Sequence, residues 1–213
     1  MIKGNDAINK DKNYEPTYRI SPDKKDIVKE IQAWSAHALE RPSPYFNDLP
    51  PCPYAKKAWR DGRVAIIFQY GGDQFLFNVL TEFTDQLDLV LIVDRNTKKT
   101  PEQFHDFLDG LNYAISRGIF GERDLWVMGF HPDDDSNDFI DDGTFEAHVN
   151  APYAMIFVQR LSKVQEAADK LKEMGYYDAY LEEYNASELF QKREAFYRRL
   201  KNGNGTSEED GDG

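Results

Sequence analysis

Short apolar runs alternating with helical patterns constrain this chain more than any other feature. Val64-Ala65-Ile66-Ile67-Phe68 is a continuous apolar run of the kind that forms a strand covered on both faces. Leu87 to Val93 repeats the pattern, and Leu125-Trp126-Val127-Met128-Gly129-Phe130 gives a third strand. Tyr153 to Arg160 reads as a fourth, with the start of a helix as the alternative. Helical patterns fall between and around these runs. Phe75, Leu76, Val79, Leu80 and Phe83 recur at helical spacing after the Gly71-Gly72-Asp73 turn, where Asp73 is a candidate N-cap. Thr100-Pro101-Glu102-Gln103 combines a capping threonine, a first-turn proline and acidic residues. Phe104, Leu108, Leu111 and Ile115 continue that face. Val164, Ala167, Ala168, Leu171 and Met174 define another helix, which Gly175 ends.

Strands alternating with helices imply one sheet covered by helices, an α/β or α+β sandwich. A ferredoxin-like plan with added helices and a small mixed sheet both fit the order. A first helix is expected from about Asp23 to Leu39 and a last one from about Ser187 to Lys201. The expected organisation is a polar, mobile arm over 1–20, a single α/β domain over 21–201, and a disordered acidic tail over 202–213.

Charge narrows the partners. A formal net charge of −12 argues against a nucleic-acid surface, which needs clustered cations to neutralise phosphates. The basic clusters Lys24-Lys25, Lys98-Lys99 and Arg198-Arg199-Leu200-Lys201 are short and separated. No apolar run approaches the roughly 18 residues of a membrane helix. The first residues are polar and unlike a signal peptide, so a cytoplasmic location is expected. The remaining partners are a small molecule or a protein.

The single cysteine excludes an internal disulfide framework. Cys52 lies in Leu49-Pro50-Pro51-Cys52-Pro53-Tyr54-Ala55-Lys56-Lys57, where Pro53 suits the first position of a helix. Cys52 would then be the N-cap, facing free amide N–H groups, with Lys56 and Lys57 one turn on. Such surroundings lower a thiol pKa. The opposite reading is a small, buried, inert side chain.

The second informative segment joins the third and fourth strands, from His131-Pro132-Asp133-Asp134-Asp135 to His148-Val149-Asn150. Connections this long are usually functional or disordered. Three readings are open. His131 and Cys52 could form an imidazolium–thiolate pair oriented by an acidic residue, Asp133 or Asp135, with the Tyr153 hydroxyl nearby. His131, His148, Asp133 and Asp135 could bind a divalent metal. Or the acidic stretch is a solvated surface. His37 and His105 fall within helical patterns and read as surface or boundary residues.

With both segments in view, the chain resembles an uncharacterised bacterial domain-of-unknown-function family. That family carries Leu-Cys-Pro-Phe-Ala, then Phe-His-Pro after a strand, then Asn-Arg-Ser-Pro-Tyr-Pro. The counterparts here are Pro51-Cys52-Pro53-Tyr54-Ala55, Phe130-His131-Pro132 and Val149-Asn150-Ala151-Pro152-Tyr153-Ala154, across about residues 25–175. Arg160 matches an arginine that follows. Tyr54 replaces a phenylalanine, and no arginine follows Asn150. The resemblance implies that Cys52, His131 and the Pro152-Tyr153 turn surround one pocket, and Lys56, Asp135, Asn150 and Arg160 are the candidate binding residues. The expected function is a small-molecule enzyme. The alternative is a non-catalytic protein-binding or regulatory module that uses the acidic surface.

Overall fold

The computed structural model describes residues 22–70, 72–121, 123–134, 151–178 and 187–202. Helix α1 spans Pro22–Trp34 and is prolonged by a wider π-type turn, Ser35–Leu39. After a 3-10 turn at Pro44–Phe46, the short α2 covers Ala55–Arg60. Then follow β1 (Val64–Gln69), α3 (Gln74–Glu82), β2 (Leu89–Asp94), α4 (Pro101–Ser116), β3 (Trp126–Phe130), β4 (Ala154–Gln159) and α5 (Leu161–Glu173). Helix α6, Ser187–Asn202, ends the described chain.

The four strands form one mixed sheet in the order β1-β2-β4-β3. β1 and β2 are parallel, while β4 runs antiparallel to both β2 and β3. β1, β2 and β3 therefore point the same way, and their carboxyl ends share one rim with the start of β4. Of the two plans the sequence allowed, the mixed sheet is the one adopted. A ferredoxin-like plan runs β-α-β-β-α-β, whereas this chain runs β-α-β-α-β-β-α. The apolar runs could not show this difference, because a doubly covered strand reads alike in either direction.

Both faces of the sheet are buried, which is why the runs are continuous rather than alternating. Val90 and Ile92 face one way and pack with Leu76, Val79 and Leu80 of α3 and Phe104, Leu108 and Leu111 of α4. Leu91 and Val93 face the other way, under Ile27, Ile31 and Trp34 of α1. Each fully buried aliphatic side chain contributes about 1.5–3 kcal/mol. A satellite cluster of Phe46, Leu171 and Tyr176 ties the proline-rich segment to α5.

Two local devices position α4. The expected capping box is present: Thr100 Oγ1 accepts from the Gln103 amide, and Gln103 Oε1 accepts from the Thr100 amide. On the outer side of edge strand β3, Asn112 Nδ2 donates to the Val127 carbonyl at 2.7 Å and Asn112 Oδ1 accepts the Val127 N–H at 2.9 Å. Gly129 lets the two elements approach, since a Cβ there would lie 2.7 Å from both the Phe104 ring and the Met155 carbonyl.

Candidate functional site

The shared rim of the sheet gathers polar groups from several elements. The apolar runs of β1 and β2 each end in a polar residue, Gln69 and Asp94, and the parallel register sets these two side by side. Both are buried, at 1% and 6% exposure. Gln69 Nε2 donates to Asp94 Oδ2 at 3.2 Å, and the Asn96 amide donates to Asp94 Oδ1 at 3.0 Å. A carboxylate only accepts, so the Gln69 amide must turn its NH2 towards it. Gln69 Oε1 is then directed away, with no donor among the described residues. A buried carbonyl oxygen in that state costs about 1–3 kcal/mol.

Around this pair, Asp73 occupies the N-cap position of α3, as expected. Its side chain caps no backbone N–H and instead reaches Lys99 Nζ at 3.3 Å. Lys99 also lies over the Phe107 ring. His131, one residue beyond β3, is 3% exposed and packs on Phe104 of α4. Its Nε2–H donates to the Lys99 carbonyl at 3.0 Å, and its Nδ1 accepts the Asp133 N–H at 3.2 Å. Backbone groups thus occupy both ring nitrogens, and the imidazole buttresses the rim. The Asp133 carboxylate is 83% exposed and 4.0 Å from the ring, so Asp133 orients His131 through its backbone rather than its charge.

His105, expected at the surface or boundary, stands in the second turn of α4. Its Nε2 lies 2.6 Å from Asp134 Oδ2. The imidazole is half-exposed while the carboxylate is mostly buried. A buried acid holding an accessible imidazole is the arrangement that fixes a general base in one tautomer. The sequence signal for it was weak, because the contact spans the end of one element and the body of another.

Several expectations are corrected. Cys52 is not an N-cap: α2 starts at Ala55 with Tyr54 before it, because the Ala55 amide first closes a turn onto the Cys52 carbonyl. Burial pushes the Cys52 thiol up, and Glu40 adds to that, against opposing hydrogen bonds from the Tyr54 and Ala55 backbone. The environment therefore works against a thiolate. Cys52 and His131 lean on different faces of the sheet. The Cys52 amide donates to the carbonyl of Leu39, which packs on the α1 side of the sheet, while His131 packs on α4 at the opposite face. Lys56 is exposed on α2. Tyr153 does reach the rim but on the α1 side, where its hydroxyl donates to Glu30. Burial and that carboxylate push its pKa up to about 12, so it is a donor and not a base.

Arg160 lies beyond the far end of β4, at the amino-terminal rim. It pairs with Asp85 there and covers the Phe83 ring. Asp135, His148 and Asn150 lie outside the described residues. Among the described residues, no three His, Cys, Asp or Glu side chains are grouped to hold a metal. No helix among them is long and apolar enough to cross a membrane.

The chain was compared with protein-family models, curated proteins and solved structures, and none of them matches it.

Proposed function

We propose that this chain is a small-molecule enzyme of the acid–base type, working at the rim formed by the carboxyl ends of β1, β2 and β3. The observation that carries the reading is the 2.6 Å contact between His105 and the mostly buried Asp134. Asp134 accepts from Nε2, which leaves His105 Nδ1 as the proton-accepting nitrogen. The Lys99–Asp73 pair adds charge of both signs to the same rim. Open α/β sheets commonly build their sites at the carboxyl ends of parallel strands. The resemblance to the bacterial family draws attention to the same rim through Phe130-His131-Pro132.

The rival reading is a protein-binding module. It has in its favour the exposed aromatic side chains Tyr70, Phe75 and Phe77 beside the β1–α3 turn, on a strongly acidic chain.

Imidazole NMR separates the two. The ring signals of His105 and His131 are followed while hydroxylated and amino-bearing metabolites are added in pools. A ligand that moves the His105 signals, with binding weakened by His105→Gln and unchanged by Lys56→Ala, supports the enzyme reading. If no pool moves His105, the rim is not a small-molecule site.

A further inference from the structure

A cavity of about 610 Å³ opens at the amino-terminal rim, the end of the sheet opposite the His105–Asp134 pair. Its position follows from the topology. Helix α4 starts at the carboxyl rim and runs back across the sheet, so its last residues, Ile115 and Ser116, reach the other end with Arg117 and Gly118 just after them. The start of α5 at Ser162 and the segment before β3 at Asp124 meet it there, and α6 forms the outer wall. The volume lies within the range that holds a small organic ligand.

The floor is apolar. Ile115 and Phe196 are almost fully buried, and Tyr197 and Leu200 pack beside them. Two acidic groups line the cavity, and both are engaged. Asp124 accepts from the Ser162 amide at 2.7 Å and from the Ser162 hydroxyl, which fixes it as a cap on α5. Glu166 acts on Lys201, which also lies over the Tyr197 ring. Two arginines remain at the mouth. Arg117 and Arg199 are both exposed, and neither has an acidic partner among the described residues. Arg117 and Arg199 line the same cavity as this apolar floor, on a chain whose net charge is −12. Arg199 also belongs to the Arg198-Arg199-Leu200-Lys201 cluster, to which the rim site gives no role.

We propose that this cavity binds an amphipathic organic anion, whose apolar body lies on Phe196 and Ile115 and whose carboxylate or phosphate meets Arg117 and Arg199. Guanidinium suits that headgroup because its forked donors match planar or tetrahedral oxyanions. The proposal is independent of the chemistry at the opposite rim.

The test is calorimetric titration of the full chain with decanoate, decyl phosphate, decanol and decylammonium. Binding is also followed through Trp126, whose ring lies 6.5 Å from Phe196. Both anions are expected to bind about tenfold or more tightly than decanol, and their order identifies the preferred headgroup. The double variant Arg117→Ala/Arg199→Ala should lose that advantage while keeping the wild-type melting temperature, since neither side chain holds an acidic group of the fold. Equal affinity for decanoate, decyl phosphate and decanol would overturn the proposal, as would preference for decylammonium, unaltered anion binding by the double variant, or no binding of any compound.

Discussion

Gln69 and Asp94 close the last shared rung of the parallel β1–β2 ladder with an amide–carboxylate hydrogen bond of 3.2 Å, and both side chains are buried. Replacing Gln69 by Glu sets a second carboxylate against the first in the same small volume. Two such groups cannot both ionise cheaply, so the folded state takes up a proton that the unfolded chain does not hold at neutral pH. Folded-state affinity for that proton is raised, so the penalty grows as pH rises. Gln69→Glu should lower stability by about 3 kcal/mol near pH 7, and the loss should shrink towards about pH 5. Urea unfolding at the two pH values measures it.

The Cys52 thiol should behave as a buried group. Burial holds its pKa above the ordinary value, so iodoacetamide at neutral pH is expected to alkylate it more slowly than a free thiol. The difference should vanish in strong denaturant. Labelling faster than the free thiol in the folded protein would restore the activated cysteine.

Arg63 grips Asp88 through two hydrogen bonds, of 2.7 and 2.9 Å, joining the residues that precede β1 and β2. Arg63 first, with Lys163 assisting, holds the Asp88 carboxyl down to about 2. Its stabilising effect is complete above the unfolded value of about 3.9 and is lost as pH falls towards 2. Both partners are about one-third exposed, so solvent screens the pair. Arg63→Ala should cost about 1 kcal/mol at neutral pH, with the difference from wild type fading below about pH 4. Denaturant midpoints across that range decide it.

Asn112 meets the N–H and C=O of Val127 with one side-chain amide. Asn112→Leu leaves both backbone groups without a partner in a buried setting. A loss of about 2–4 kcal/mol is expected from two unmade hydrogen bonds. Amide exchange at Val127 should accelerate with it, whereas a purely volumetric effect would leave that amide protected.

Local chemistry made much of this fold legible. The helix start at Thr100 could be read because a cap, a proline and a glutamine act within four residues, and the structure contains that box. The strands were legible because Leu91, Val127 and Ile156 are buried whichever way the chain runs. The same indifference concealed strand order and direction. The site was less legible for a related reason. Gln69 and Asp94 become a pair only through register, and His105 finds Asp134 only because α4 starts beside the end of β3. Cys52 misled because its flanking prolines and lysines are local signals, while the Leu39 carbonyl that its amide meets and the Glu40 charge that raises its pKa come from another part of the chain.

The last strand to leave the chain order occupies the middle of the ladder, because β4 lies between β2 and β3. Among the described residues, β3 has no sheet partner other than β4. During folding, the outermost strand therefore stays outside the ladder until a segment still later in the sequence has slotted in beside β2. His131 and the Asp134 arm cannot take their places earlier than that closing step. Completion of this rim therefore waits on the distant pairings that complete the sheet, and such non-local pairings form slowly.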